Sequence, residues 1–434
     1  MDVNVIGAIP SAAPRERMID LYQKIDEYVY EIRMIDLYQK INEHLYGMNR
    51  KKIDMEKAYE IIIDTPDSKC NPIMNFWKAR FADSRLTRYK SCRVEKNIGR
   101  ANALYRKAVD LNIKRMAEDG DKYARACLGW MYANGDGVDK NDSTAAEWYR
   151  KASEQGYADA QYNLGWLYAY GYGVDKDETT AVEWYRKAAE QGHADAQYNL
   201  GWMYQNGYGV DKNDLTAVEW YRRAAEQGYA DAENNLGVMY QYGYGIDKNY
   251  LAAVEWYRKA AEQGHALAQC NYGYMYEYGA GVDKDKTTAM EWYRKAADKG
   301  NADAQYNLGA MYDDGYGVDK NDSAAVEWYR KAAEQGNADA QNNLGVMYEY
   351  GHGVDQNDST AVEWYRKAAE QGHALAQYNF ALMYEYAAGV DKDETKAMEW
   401  YRKAAEQDVA HARRRLDLLT NKVSAEENGA VERN

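Results

Sequence analysis

Along residues 122–409 apolar and polar positions recur with a period of 36, and each period carries two helical patterns. Residues 194–229 show the unit. Ala196, Leu200, Met203 and Tyr204 stand at i, i+4, i+7 and i+8, which predicts an amphipathic helix over 194–206. Gly207 and Gly209 follow, and glycine stops a helix by entering left-handed backbone conformations at no steric cost. Val210 is expected to plug inward, with Asp211 and Lys212 facing water. Asn213 is the expected cap of a second helix over 214–226, its side chain accepting from otherwise unpaired backbone amides. That helix is expected to bury Ala217, Trp220, Ala224 and Ala225 and to end at Gly228.

Eight such units follow one another, and a further partial helix reaches Leu419. Trp148, Trp184, Trp220, Trp256, Trp292, Trp328, Trp364 and Trp400 mark the second helices, and every copy keeps Asn or Asp at the cap. Gly129, Gly165, Gly201, Gly237, Gly273, Gly309 and Gly345 lie inside the first helices. Glycine there costs about 1 kcal/mol relative to alanine. Repeating that cost needs a compensation, and the expected one is close approach of a neighbouring helix, with the tryptophan filling the adjacent space. One unit cannot bury both of its apolar faces, so neighbours must stack.

The pattern A-x-x-x-L-G-x-x-Y-x-x-G-x-G-V, then A-V-E-W-Y-R-K-A-A-E-Q-G, resembles the Sel-one-like repeat (SLR) family, relatives of tetratricopeptide repeats, over about two-thirds of the chain. The resemblance implies an all-α fold, a right-handed α/α superhelical solenoid of antiparallel helix pairs, serving as a non-catalytic scaffold or adaptor for protein complexes. Secreted members of the family carry paired cysteines, which this chain lacks. Neither the signal and anchor of the quality-control members nor the prenylation signal of the fungal chitin-synthase activators is read here.

The two ends differ from the repeats. Residues 17–32 and 33–48 form a shorter duplication of period 16 with helical spacing, and 54–64, 70–82 and 96–118 also read as helices. The expected organisation is a helical N-terminal region over 1–120, packed as a divergent cap or serving as a separate docking module, then the solenoid over 121–420. Residues 421–434 read as a polar, disordered tail. Arg413, Arg414, Arg415 and Asp417 give the last helix the polar outer face that a terminal repeat needs.

Charge follows the same division. The net charge is −14, yet residues 1–120 carry +4 and residues 121–434 carry −18. Within 69–115 there are 13 basic and 3 acidic side chains. This basic segment is the basis of an alternative reading, in which it binds nucleic acid or an acidic membrane with the solenoid as support. The absence of any recognisable binding module disfavours nucleic acid.

A column on the first helix changes from copy to copy while the core column hardly does. Positions equivalent to 162, 166, 169 and 170 lie at i, i+4, i+7 and i+8 and form one stripe, and in tetratricopeptide-like superhelices the first helix lines the concave side. The stripe offers Trp130, Trp166, Tyr170, Trp202, Tyr242, Tyr274, Tyr278 and Tyr350 as aromatic contacts. Glu277, Asp313, Asp314, Glu349 and Glu385 make its later part acidic. Tryptophan and tyrosine are enriched at interface hot spots. The expected guest is therefore another protein's peptide or helix with an apolar anchor and a basic tail.

Composition adds little chemistry. The chain has 43 Tyr and 12 Trp against 3 Phe, so many rings carry a polar handle suited to half-wet surfaces. Cys70, Cys92, Cys127 and Cys270 are far apart, which argues against zinc and against a disulfide framework and suits a reducing compartment. His193, His265 and His373 share one turn position and read as structural. The GYGVDK loops lack the strand and the Gly-Lys-Ser/Thr ending of a phosphate loop. The expectation is no catalytic residue, no metal and no cofactor. With no apolar run long enough to span a membrane and a poor secretory leader, the expected location is cytoplasmic.

Overall fold

The computed structural model describes residues 113–431, and every regular element among them is an α-helix. After a short opening helix, Ile113–Glu118, come eight helix pairs. The first helices are Lys122–Asn134, Ala158–Tyr170, Ala194–Asn206, Ala230–Tyr242, Ala266–Tyr278, Ala302–Asp314, Ala338–Tyr350 and Ala374–Tyr386. The second helices are Asp142–Glu154, Glu178–Glu190, Asp214–Glu226, Tyr250–Glu262, Lys286–Ala297, Asp322–Glu334, Asp358–Glu370 and Glu394–Glu406. A last helix, Ala410–Val431, follows. The chain divides into two compact units at Tyr229/Ala230. The expected N-terminal cap and its duplicated segment lie almost wholly outside the described residues.

The caps form as the residue types require. Asn213 accepts from the amide of Thr216 at 3.0 Å, and Asp177 accepts from Thr180 at 3.0 Å. At the other end of the first helix, Gly207 sits at φ 74° and its amide returns to the Met203 carbonyl. Two residues on, Gly209 has a different reason to be glycine. A Cβ there would lie 2.3 Å from the Glu178 carbonyl at the start of the preceding second helix, so only bare backbone fits.

Within a pair the helices run antiparallel. Asp177 N–H bonds Tyr168 C=O at 2.9 Å, and the rings of Tyr162 and Tyr185 sit 5.8 Å apart, so early residues of one helix meet late residues of the other.

The ring opposite the helix glycine is not the tryptophan that the sequence suggested. A Cβ on Gly165 would meet the Tyr185 ring at 2.9 Å, and one on Gly237 would meet Tyr257 at 2.6 Å. The tyrosine after each tryptophan is the fully buried side chain: Tyr185, Tyr221, Tyr257, Tyr293, Tyr329, Tyr365 and Tyr401. Helical geometry explains the difference. Tyr221 continues the row of Ala217 and Ala224 at i+4 and i+7, whereas Trp220 is rotated about 100° off that row. Most of the indoles are half-buried and reach along the stack. Trp292 packs against the cluster of Tyr257, Tyr272 and Met275, and Trp328 against that of Tyr293, Leu308 and Met311. Each also carries its own cation three residues on, such as Lys187 Nζ at 3.8 Å from the Trp184 ring and Lys259 Nζ at 3.7 Å from Trp256. That lid separates the wet side of the indole from solvent.

The shared histidine position is a cap. His193 Nδ1 accepts from the Ala196 amide at 3.3 Å, which leaves Nε2 to donate to Asp159 of the preceding repeat at 2.9 Å. The backbone of the stretch expected to be disordered from 421 is helical as far as Val431. Its Ala- and Glu-rich, proline-free sequence favours helix, and Lys422 anchors its beginning on Glu394 at 2.7 Å.

Candidate interaction surface

Along the first helices the members of the variable stripe differ in exposure. Trp166 and Trp202 are 39% and 41% exposed. Tyr170, Tyr242, Tyr274, Tyr278 and Tyr350 are exposed as well. Trp130, expected to belong with them, is buried at 8% exposure beside a neighbouring cleft. Asp314 is open to solvent, while Glu277, Asp313, Glu349 and Glu385 are half-buried.

In residues 113–229 the stripe is aromatic. Trp166 stacks on Tyr172 at 5.0 Å between centroids and meets Tyr170 at 5.1 Å, and Trp202 stacks on Tyr208 at 4.9 Å. The loop glycines that end the first helix fold the following tyrosine back over the indole. Rings held in this way present apolar area without first having to be ordered. Beside them lie two clefts of about 400 and 600 Å³.

In residues 230–434 the carboxylates of the stripe answer the buried tyrosines. Tyr293 donates its hydroxyl proton to Glu277 at 2.6 Å, Tyr365 to Glu349 at 2.6 Å, and Tyr401 to Glu385 at 2.6 Å. Tyr329 reaches Asp313 at 3.4 Å, and Lys320 lies 3.5 Å from the same carboxylate. Arg415 of the last helix pairs with Glu385 at 3.3 Å, so the terminal arginines also close the stripe. Burial, reinforced by the adjacent carboxylate, pushes Tyr293, Tyr365 and Tyr401 far above the ordinary phenol range. The sequence showed these carboxylates as an acidic face. It did not show that each is aimed by a hydroxyl 16 residues later, and that regular spacing was the available signal.

Cys127 and Cys270 are buried, and burial raises the Cys270 thiol to about 12, which keeps it protonated and inert. Among the described residues no helix is long and apolar enough to cross a membrane. Cys70, Cys92 and most of the basic segment 69–115 lie outside the described residues.

Repeated helix pairs, capped alike and locked in seven of the eight units by a tyrosine–glycine contact, define an α-solenoid of short repeats. The Sel1 repeat family model matches nine consecutive stretches: 91–113, 123–157, 158–193, 194–229, 230–265, 266–301, 302–337, 338–373 and 374–409. The chain belongs to the Sel1 repeat family. Solenoids of this family generally serve as protein–protein interaction scaffolds. It is similar to a crystallised protective antigen present in uropathogenic Escherichia coli strains, which displays an SLR fold. The identity is 30% over 95% of this chain and 92% of that one, with a TM-score of 0.50. A Sel1 repeat protein from Oxalobacter formigenes is 36% identical over 70% of this chain and 84% of that one, with a TM-score of 0.54. No curated protein matches by sequence.

Proposed function

We propose that this chain is a non-catalytic adaptor that holds a peptide or helix of another protein against the stripe on its first helices. The observation that carries the reading is the pair of indoles Trp166 and Trp202, ordered by tyrosine stacking yet some two-fifths exposed. Hydrophobic side chains with no packing role are usually buried or lost, whereas rigid exposed aromatics are what an interface anchor requires. The carboxylates of residues 230–434 add a preference for basic side chains in the guest, because Glu277 and Glu349 are partly exposed while a tyrosine fixes the position of each.

Selection of peptides from a random phage-displayed library on the full chain tests this. Changing Trp166 and Trp202 to Ala is expected to weaken the selected peptides about 30-fold, the equivalent of one hot spot of about 2 kcal/mol. Glu349→Lys with Glu385→Lys is expected to weaken basic peptides and spare neutral ones. A chain that selects no peptide, or whose peptides bind both variants as tightly while thermal melts show them folded, would overturn the reading.

A further inference from the structure

In five repeats the lysine of the loop after the first helix pairs with an acid two residues on. Lys176 meets Glu178 at 2.8 Å, and Lys392 meets Glu394 at 2.9 Å. The fifth unit departs from this rule, because Lys286 stands where the acid would be, two residues after Lys284. Among the described residues neither lysine has a carboxylate within 4 Å, and both turn to Tyr316 of the next loop. Lys286 Nζ sits 3.2 Å from the centre of that ring, and Lys284 Nζ 5.6 Å from it. Bonding to Lys284, helped by Lys286, holds the Tyr316 phenol below its ordinary range. The neighbouring carboxylates are already committed. Asp285 caps its helix, accepting from the amides of Thr287 and Thr288 and from the Thr288 hydroxyl. Glu277, whose charge is felt at Lys284, accepts from the Tyr293 hydroxyl at 2.6 Å.

The same unit lacks the ring that covers the stripe elsewhere. Tyr172 and Tyr208 fold over Trp166 and Trp202, whereas Ala280 takes that loop position here. Tyr274 and Tyr278 are left exposed, their ring centroids 4.4 Å apart. Tyr278 is within electrostatic reach of Lys284 and Tyr316. An open aromatic pair thus adjoins two cations, beside a stripe of carboxylates. The lysine arm at this position is long enough to serve the stripe, since Lys320 in the next unit contacts Asp322 at 3.1 Å and the stripe carboxylate Asp313 at 3.5 Å.

We infer that Lys284 and Lys286 form a docking point for one acidic side chain, Asp or Glu, of the guest peptide, which takes the place of the acid that five other repeats carry themselves. This rests on the proposed peptide-binding role and specifies its recognition chemistry. The two ammonium groups donate to the guest carboxylate, and bonds between opposite charges are the stronger ones. An apolar neighbour of that acid lies on Tyr274 and Tyr278. The site also fixes register. A stripe that recurs every 36 residues lets a basic guest slip by one repeat. One charge-reversed repeat attracts an acid and repels a base, so a single register suits. First helices of adjacent repeats touch, as Asn379 Nδ2 donates to Asn342 at 3.0 Å, and helices in contact lie about 8–10 Å apart. Glu349 stands two repeats beyond Glu277, or about 16–20 Å, the span of about six extended residues. The guest is thereby an extended peptide with one acid and, about six residues away, a Lys or Arg.

Lys286→Glu restores the pair that Lys176 and Glu178 form, so the variant is expected to fold and to melt no lower than the parent. Peptides selected by phage display on the full parent chain are expected to carry Asp or Glu at one position, with Lys or Arg about six residues away. Charge reversal turns attraction into repulsion, and these peptides should bind the variant at least about 10-fold more weakly. Changing their own acid to Lys should invert the order, so that the variant binds them more tightly than the parent does. Peptides weakened by changing Trp166 and Trp202 to Ala but indifferent to Lys286→Glu would refute the lysine site while the peptide-binding reading stands. Peptides weakened by Lys286→Glu alone would uphold the lysine site and remove the tryptophans as anchors. Peptides indifferent to both changes would refute both. A phosphoserine in place of the acid that tightens binding to the parent by more than about 10-fold would reassign the site to a phosphate. Self-association of the parent chain that Lys286→Glu abolishes would seat a second copy there. Either of these last two results overturns the guest carboxylate.

Discussion

Residues 113–229 and 230–434 share caps, glycine contacts and tyrosine core, and they differ in who answers the buried hydroxyl. In the later unit each hydroxyl meets a glutamine, glutamate or aspartate of its own repeat. In the first two repeats alanine stands there, and clefts open beside ordered indoles. Clefts are thus found at the two repeats whose stripe carries alanine at this position. The comparison separates two jobs that look alike in sequence, since both are variation on the same helix face. Variation among acceptors preserves a hydrogen bond, while alanine at the same position leaves a cleft.

The largest expected effect tests what both regions share. Tyr257→Ala should cost about 3–5 kcal/mol, confined to its own and adjacent repeats. Trp256→Ala should cost less, because that indole is partly solvent-facing under Lys259. Hydrogen exchange should show the loosening as local, and equal losses for the two variants would contradict the tyrosine-centred core.

A smaller effect addresses the difference directly. Tyr365→Phe removes a bond to the Glu349 carboxylate and should cost about 1–2 kcal/mol. Tyr185→Phe, with alanine at the facing position, should cost less than about 1 kcal/mol. Denaturant melts that rank the two in reverse would break the distinction.

Alkaline pH should act on the buried tyrosines together. Their folded values are raised above the ordinary phenol value near 10. Below that pH the tyrosines are protonated in both states and the contribution is fully present. Above it the unfolded chain loses protons that the folded chain retains, so stability should fall as pH rises past about 10. The smallest effect is at Ala387, which occupies at φ 57° a turn position that glycine fills in the other repeats. Ala387→Gly should gain up to about 1 kcal/mol, seen as a higher melting temperature.

The pairing of helices, their bounds and their caps were legible because each rests on a local rule. The 194–206 and 214–226 segments carry their own periodicity, glycine stop and Asn213 cap. The ring opposite the glycine was misassigned because Trp220 and Tyr221 are neighbours, and only the rotation between them tells which one faces inward. Trp130 read as exposed by analogy with Trp166 and Trp202, although its surroundings bury it. The clefts escaped notice because they are made by what Ala133 and Ala169 lack, and a missing side chain has no pattern until the tyrosine beneath it is placed.

Hydrogen exchange on the full chain with and without a selected peptide tests the central claim most directly. The account predicts protection concentrated at 162–173 and 198–209, where the first helices end and their tyrosine loops fold back. Protection at the second helices 178–190 and 214–226, with those segments unchanged, would place the guest on the opposite face and contradict it.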